Sequence, residues 1–202
     1  MVKIKICGLS RLCDIEAANE NKPEYIGFVF AESRRRVTPA QASELRAKLS
    51  PEIIPVGVFV NETPDNIVTL VRSGIIDVIQ LHGDENEDYI KRLKELTDKP
   101  VIKAVSVEQA GDVQKWIHTS ADYLLLDNKS GGTGKTFNWD LIGEVKKPFF
   151  LAGGLNIENI SSAIIKTNPF AVDISSGVEI NGLKDSEKII SIISIIRSIR
   201  NE

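Results

Sequence analysis

Two kinds of segment alternate along the chain. Short runs rich in Val, Ile and Phe recur, each closed by a polar or glycine-containing break and followed by a stretch with helical spacing. The runs predict strands at 2–6, 25–30, 54–60, 77–81, 101–105, 122–126, 148–152 and 170–174. Helix starts stand where Thr38-Pro39 precedes AQASELRAKL, Thr63-Pro64 precedes DNIVTLV and Asn156 precedes IENISSAII. Thr and Asn side chains cap free amide groups there, and proline fits a first turn. A last helix with a broad apolar stripe is expected from about Ser186 to Arg200, while the stretch from Glu108 to Ser120 leaves room for only a brief fifth helix. Eight strands alternating with helices predict an α/β fold, a compact closed (β/α)8 TIM barrel with a short or irregular fifth helix. A doubly wound open sheet has the same alternation and stays as the alternative. No linker, low-complexity tract or strong repeat divides the chain, so residues 1–202 are expected to form a single barrel domain.

Composition narrows the partners. The 202 residues are 42% hydrophobic and 26% charged, the balance of a soluble globular protein with one sizeable core. A net charge of -3 offers no long-range attraction to nucleic acid or to an anionic membrane, so a small anionic ligand needs a local positive site. The Ile-rich tail from Ile189 to Ile199 is broken by Ser191, Ser194, Arg197 and Ser198 and predicts no membrane span. Met1 to Ile6 carries lysines in place of a signal peptide's apolar core, and a cytoplasmic protein is expected. Cys7, Cys13, His82 and His118 are too few and too scattered for a zinc set or a disulfide framework, and no metal or organic cofactor is expected. A monomer and a homodimer fit the sequence equally.

In a barrel of this kind the active site lies at the C-terminal strand ends. There the sequence is polar: Cys7-Gly8 after the first run, His82-Gly83-Asp84 after the fourth, Asp127 after the sixth, Gly153-Gly154 after the seventh and Ser175-Ser176-Gly177 after the eighth. Either glycine or serine cluster alone reads as turn residues, but two on adjacent terminal strands point to a phosphate site, with a helix opening near Asn156. Strand alternation puts Lys3, Lys5 and Cys7 on one side and Ile4 and Ile6 on the other. If the isoleucines pack on the helices, Lys5 and the Cys7 thiol look inward. Cys7 also reads as ordinary packing, and Asp127 as a helix cap or ion-pair partner. Cys13 reads as packing. Gly131-Gly132-Thr133-Gly134-Lys135-Thr136 approaches a nucleotide-binding loop, but the glycine required five residues earlier is Lys129, and Phe137-Asn138-Trp139 follows in place of a long helix. Gly131, Gly132, Thr133 and Gly134 read as a glycine-rich lid or as a plain surface loop.

Taken together, Lys5-Ile6-Cys7-Gly8-Leu9, Gln80-Leu81-His82-Gly83, Leu125-Leu126-Asp127 with Gly131-Gly132-Thr133-Gly134 and Phe137, Ala152-Gly153-Gly154-Leu155 and Val172-Asp173-Ile174-Ser175-Ser176-Gly177-Val178-Glu179 resemble the phosphoribosylanthranilate isomerase family of tryptophan biosynthesis. The resemblance spans nearly the whole chain. It implies an Amadori rearrangement of N-(5-phosphoribosyl)anthranilate to 1-(o-carboxyphenylamino)-1-deoxyribulose 5-phosphate, with Cys7 as general base and Asp127 as general acid. It implies that Arg35 holds the anthranilate carboxylate. Two departures stand out: Ser33-Arg34-Arg35 where the family usually reads Ser-Pro-Arg, and Asn138 where it usually has Asp. The first leaves the choice among Arg34, Arg35 and Arg36 open. His82 either lines the pocket or satisfies hydrogen bonds, and Asp173 points inward either to orient neighbours or to act on substrate.

The implied chemistry needs one acid and one base. A free aspartic acid is only about 0.1% protonated at pH 7 and needs a raised pKa, which burial beside an anionic substrate supplies. A free thiol is only a few per cent ionised, and Lys5 is the candidate for the positive influence it needs. The rival on the same fold is the sister isomerase of histidine biosynthesis, which has aspartate at the Cys7 position and needs a second phosphate loop where this chain has His82-Gly83-Asp84. Indole-3-glycerol-phosphate synthase differs in its strand-one chemistry. A non-catalytic barrel that only binds a phosphorylated ligand would keep both glycine and serine loops without requiring Cys7 together with Asp127.

Overall fold

The structure, a computed structural model, describes residues 1–128 and 136–199. Its eight barrel strands are β1 Lys3–Cys7, β2 Tyr25–Val29, β3 Ile54–Phe59, β4 Val78–Leu81, β5 Val101–Ser106, β6 Tyr123–Asp127, β7 Phe149–Leu151 and β8 Ala171–Ile174. They pair in chain order, and β8 returns to β1 in parallel through Ile4↔Val172 and Lys5↔Asp173. Each coincides with an expected apolar run. Closure removes the open-sheet alternative.

Six α-helices surround the sheet among the described residues: α1 Leu12–Asn21, α2 Pro39–Arg46, α3 Pro64–Arg72, α4 Glu87–Leu96, α5 Ile160–Thr167 and α6 Ser186–Ser198. Thr38 and Thr63 cap α2 and α3 as the sequence predicts, accepting from the Gln41 and Asn66 amides. The fifth connection is a single 3-10 turn, Val113–Trp116, as its short segment requires. The sixth also shrinks to a 3-10 turn, Trp139–Ile142, with Asn138 accepting from the Asp140 amide. Asn156 does not open α5. Its side chain accepts from the Glu158 amide at 2.8 Å and closes a local turn, so the helix starts at Ile160. Beyond β8, a 3-10 turn Ser176–Val178 leads into a small antiparallel hairpin, β9 Glu179–Ile180 and β10 Leu183–Lys184. No sequence pattern announced that hairpin.

The strands divide two apolar layers. Ile4 and Ile6 join the larger core between sheet and helices, whereas Tyr25, Val56, Val78, Ile102, Leu125, Phe150 and Ala171 fill the barrel itself. Phe150 meets the edges of Tyr25 and Tyr123 at centroid distances of 5.4 and 5.6 Å. The inward face of β1 therefore reads as three floors. Lys3 lies over the Phe170 ring at 4.6 Å, Lys5 is buried one layer up, and Cys7 reaches the mouth. No helix among the described residues is long and apolar enough to cross a membrane.

Candidate active site at the strand ends

Cys7 ends β1 in register with Gly27 of β2. A Cβ on Gly27 would stand 2.7 Å from Cys7 Sγ, so the sulfur lies across that bare stretch of strand and borders the mouth cavity instead of the helix packing. Asp127, Arg35, His82 and Asp173 border the same cavity of about 280 Å³. Burial pushes the Cys7 thiol up, Lys5 pulls it back, and Asp173 adds to the rise. Lys5 thus acts in the expected direction, yet burial outweighs it. The Lys5 ammonium is completely buried, donating to Asp173 Oδ2 at 2.9 Å and Gln80 Oε1 at 2.8 Å. Burial alone would lower its pKa, but Asp173 and then Cys7 turn the shift upward. The other Asp173 oxygen, Oδ1, is buried with no hydrogen-bond partner among the described residues and is free for a ligand.

Asp127 ends β6 with its side chain 13% exposed. Burial pushes its carboxyl up to about 6, against the Asn128 amide that donates to Oδ1 at 2.7 Å, and Asp173 adds to the rise. Its other oxygen stands 3.7 Å from His82 Nε2. Gln80 decides what that imidazole presents. Because its carbonyl accepts from Lys5, its amide nitrogen faces His82 Nδ1 at 3.0 Å and donates to it. That leaves the proton on Nε2, toward Asp127. Burial lowers the His82 pKa, with Asp173 opposing, so this contact joins a carboxyl to a neutral ring. The sequence gives Gln80 a place in the Gln80-Leu81-His82-Gly83 motif but no role. Its signal was the period of two in β4, which puts it inward with Val78 and one step below His82.

The two glycine and serine loops meet behind this group. Gly153 and Gly154 both take positive φ, +85° and +62°, and border the cavity with Ser175 and Ser176. A Cβ on Gly177 would come within 1.9 Å of the Leu155 carbonyl oxygen, so only glycine lets the loops touch. Gly154, Ser176 and Gly177 border an adjoining hollow that Lys188 of α6 also reaches. Two expectations change here. The start of α5 lies beyond the glycine pair, and the Ser175 hydroxyl is engaged with the Cys7 carbonyl at 3.0 Å.

The arginine run separates cleanly. Arg36 pairs with Glu32 at the surface, and Arg34 is 56% exposed while reaching Glu179 at 2.7 Å. Of the three only Arg35 borders the cavity, with Nε and Nη2 at 2.6 and 3.0 Å from the two Glu179 oxygens. Lys184 Nζ completes the cluster at 2.6 Å from Glu179 Oε1. Although burial pushes the Glu179 carboxyl up, Arg35 and Lys184 hold it down to about 2. Gly131, Gly132, Thr133 and Gly134 lie outside the described residues.

Comparison with known proteins gives one consistent result. The sequence model of the N-(5'phosphoribosyl)anthranilate (PRA) isomerase family matches residues 4–195. The N-(5'-phosphoribosyl)anthranilate isomerase of Endomicrobium trichonymphae is 51% identical, over 98% of this chain and 100% of its own length. That of Thermoanaerobacter sp. (strain X514) is 47% identical over 99% and 100%. Among solved structures, phosphoribosyl anthranilate isomerase from Thermotoga maritima is 36% identical and superposes with a TM-score of 0.89, covering 98% of this chain and 100% of that one. A phosphoribosyl anthranilate isomerase in complex with reduced 1-(o-carboxyphenylamino)-1-deoxyribulose 5-phosphate is also 36% identical, with a TM-score of 0.87 and the same coverage.

Proposed function

The chain belongs to the N-(5'-phosphoribosyl)anthranilate isomerase family, and from that premise we propose how its strand-end residues divide the reaction. The activity is the Amadori rearrangement of N-(5-phosphoribosyl)anthranilate to 1-(o-carboxyphenylamino)-1-deoxyribulose 5-phosphate in tryptophan biosynthesis, an aldose-ketose isomerisation.

Asp127 is the acid. It protonates the ribose ring oxygen as the C1–O bond breaks, and the nitrogen lone pair forms the C1=N bond of a cationic Schiff base. Cys7, as thiolate, then removes the C2 proton, and those electrons form C1=C2 while the C=N pair returns to nitrogen. The C2 hydroxyl loses its proton and C1 gains one, leaving the ketone. At pH 7 a carboxyl at about 6 is roughly one-tenth protonated, a hundredfold more than a free aspartic acid. The Schiff base supplies the positive charge that the buried thiol needs at the step where it must be ionised. His82 turns its Nε2–H toward Asp127 from 3.7 Å, and Asp173 Oδ1 accepts from a substrate N–H or O–H group. Gly153, Gly154, Ser176 and Gly177 offer their amides to the phosphate, with Lys188 close by, while Ser175 holds the loop against β1. Arg35 receives the anthranilate carboxylate. Residues 1–202 act in this reading as one catalytic unit.

The observation that carries the assignment is that a thiol and a carboxyl with a raised pKa border one cavity from two separate strands, β1 and β6, with β7 and β8 between them. Cys7→Ala and Asp127→Asn should each lower kcat about 10²- to 10⁴-fold with modest change in KM. Turnover at the wild-type rate by the double variant would refute it, and phosphorylated-ligand binding without turnover by the unaltered protein would favour a binding module.

A further inference from the structure

We propose that Glu179, a residue that does not itself touch substrate, positions Arg35 so that one edge of its guanidinium is turned to the anthranilate carboxylate. The proposal rests on the reading of Arg35 given above. Guanidinium has five N–H groups in a fixed plane, and two of its edges can each grip a carboxylate with a pair of parallel bonds. Glu179 takes the side edge, Nε at 2.6 Å and Nη2 at 3.0 Å. The second Nη2 proton and one proton of Nη1 form the end edge, and Nη1 has no hydrogen-bond partner among the described residues. The stem cannot swing away easily. It lies against Gly8, where an added Cβ would stand 2.5 Å from Arg35 Cδ, one residue from Cys7.

A lone carboxylate beside Arg35 would cancel the charge the substrate must meet. Here Glu179 is shared among Arg35, Arg34 at 2.7 Å and Lys184 at 2.6 Å, so the cluster stays cationic as a whole. Lys184 fixes Glu179 in turn. It is buried, and it donates to the Ser175 carbonyl at 2.9 Å, tying the hairpin to the loop whose Ser175 hydroxyl binds the Cys7 carbonyl. The β9–β10 hairpin thus holds the carboxylate-binding group at a fixed height above the thiol. A substrate without the carboxylate has no use for this orientation.

That last point gives the test. Steady-state rates are measured on phosphoribosylanthranilate and on its phosphoribosylaniline analogue, which keeps the sugar, phosphate and aryl amine and lacks the carboxylate. For Glu179→Gln, KM for the first should rise about 10- to 100-fold, the worth of a charge-assisted hydrogen-bond pair, while KM for the analogue changes less than about threefold. The analogue rate in the same preparation reports that the variant is folded. Glu179→Asp, which keeps the charge on a shorter stem, should recover part of the loss. Equal losses on both substrates would mean that Glu179 merely supports the loop, and no loss on either that Arg35 needs no guide; each overturns the proposal. Arg35→Met separates the two claims. If it too affects both substrates alike, the carboxylate role of Arg35 falls and takes the proposal with it; if it discriminates while Glu179→Gln does not, only the proposal falls.

Discussion

The ionisation of Cys7 and Asp127 runs opposite to what their roles require, and the pH dependence of kcat/KM should show it. The active free enzyme needs Asp127 protonated and Cys7 ionised. Asp127 titrates at about 6, and burial raises the thiol above the 9.0 of an unperturbed cysteine. Below pH 6 the acid is already protonated, and activity rises with pH as thiolate accumulates. Between 6 and 9 each unit of pH gains tenfold in thiolate and loses tenfold in acid, so the product is flat. Above the thiol pKa only the loss of the acid remains, and activity falls. A bell with limits near 6 and above 9 is therefore expected, its lower limit belonging to the acid and its upper to the base. Because the acid titrates at about 6 and the thiol is raised above its ordinary value, the correctly ionised form is a small minority at every pH, a cost that reactivity must offset. The assay is kcat/KM for phosphoribosylanthranilate from pH 5 to 10.5, beside the ultraviolet absorbance of the thiolate in a Cys13→Ser background. Asp127→Asn should abolish the limit near 6 in its residual activity. A limit near 6 that survives in Asp127→Asn, or a thiol titrating below 7, would refute the inverted ionisation.

Two further outcomes follow from the same groups. Removing the Lys5 ammonium leaves burial and Asp173 unopposed except by Lys184, so Lys5→Met should move the Cys7 titration to still higher pH; an unchanged thiol titration would show that Lys5 has no hold on it. Asp127 should also weaken the fold. Its folded pKa is raised above the unfolded value, so the native state binds the proton more tightly and stability is lost as pH climbs from 3.8 through about 6. With the side chain 13% exposed, the cost above pH 6 approaches about 3 kcal/mol, and Asp127→Asn should raise Tm at pH 7.5 by several degrees and by much less at pH 4. A lower Tm at both pH values would contradict this.

Strand positions were legible in the sequence because a buried parallel strand must be apolar on both faces, and each such run marks itself. The inward facing of Lys5 and Cys7 followed from a period of two on a strand whose isoleucines had to pack outward. Helices were harder. Thr38 and Thr63 are caps that the structure uses, but Asn156 offers the same chemistry to a turn, and a sequence does not say which local amide its side chain will satisfy. The cluster around Glu179 was illegible for another reason. Arg35 and Glu179 are 144 residues apart, and only closure of the barrel brings the β2 and β8 ends to one rim. The role of Gln80 was not legible because a polar residue in a strand ordinarily points to solvent, and only a closed barrel gives it an interior with Lys5 and His82 to join.

Buried charges are poor sources of stability, since desolvation consumes most of what their attraction returns. This mouth nevertheless buries Lys5, Asp173, Glu179 and Lys184. Their arrangement makes sense as a way of giving two carboxyl groups in one cavity different tasks. Asp173 faces the Lys5 ammonium at 2.9 Å, while Asp127 faces a neutral imidazole at 3.7 Å. The division depends on Gln80, which spends its carbonyl on Lys5 and its amide on His82, so that the lysine pairs directly with Asp173 and pulls on Asp127 only from a distance, while a neutral ring faces Asp127. Burial without a paired cation lets the Asp127 carboxyl keep its proton long enough to give it away. A chain with net charge -3 thereby supplies, on one rim, a cationic grip for an anionic substrate and an acid that works near neutral pH.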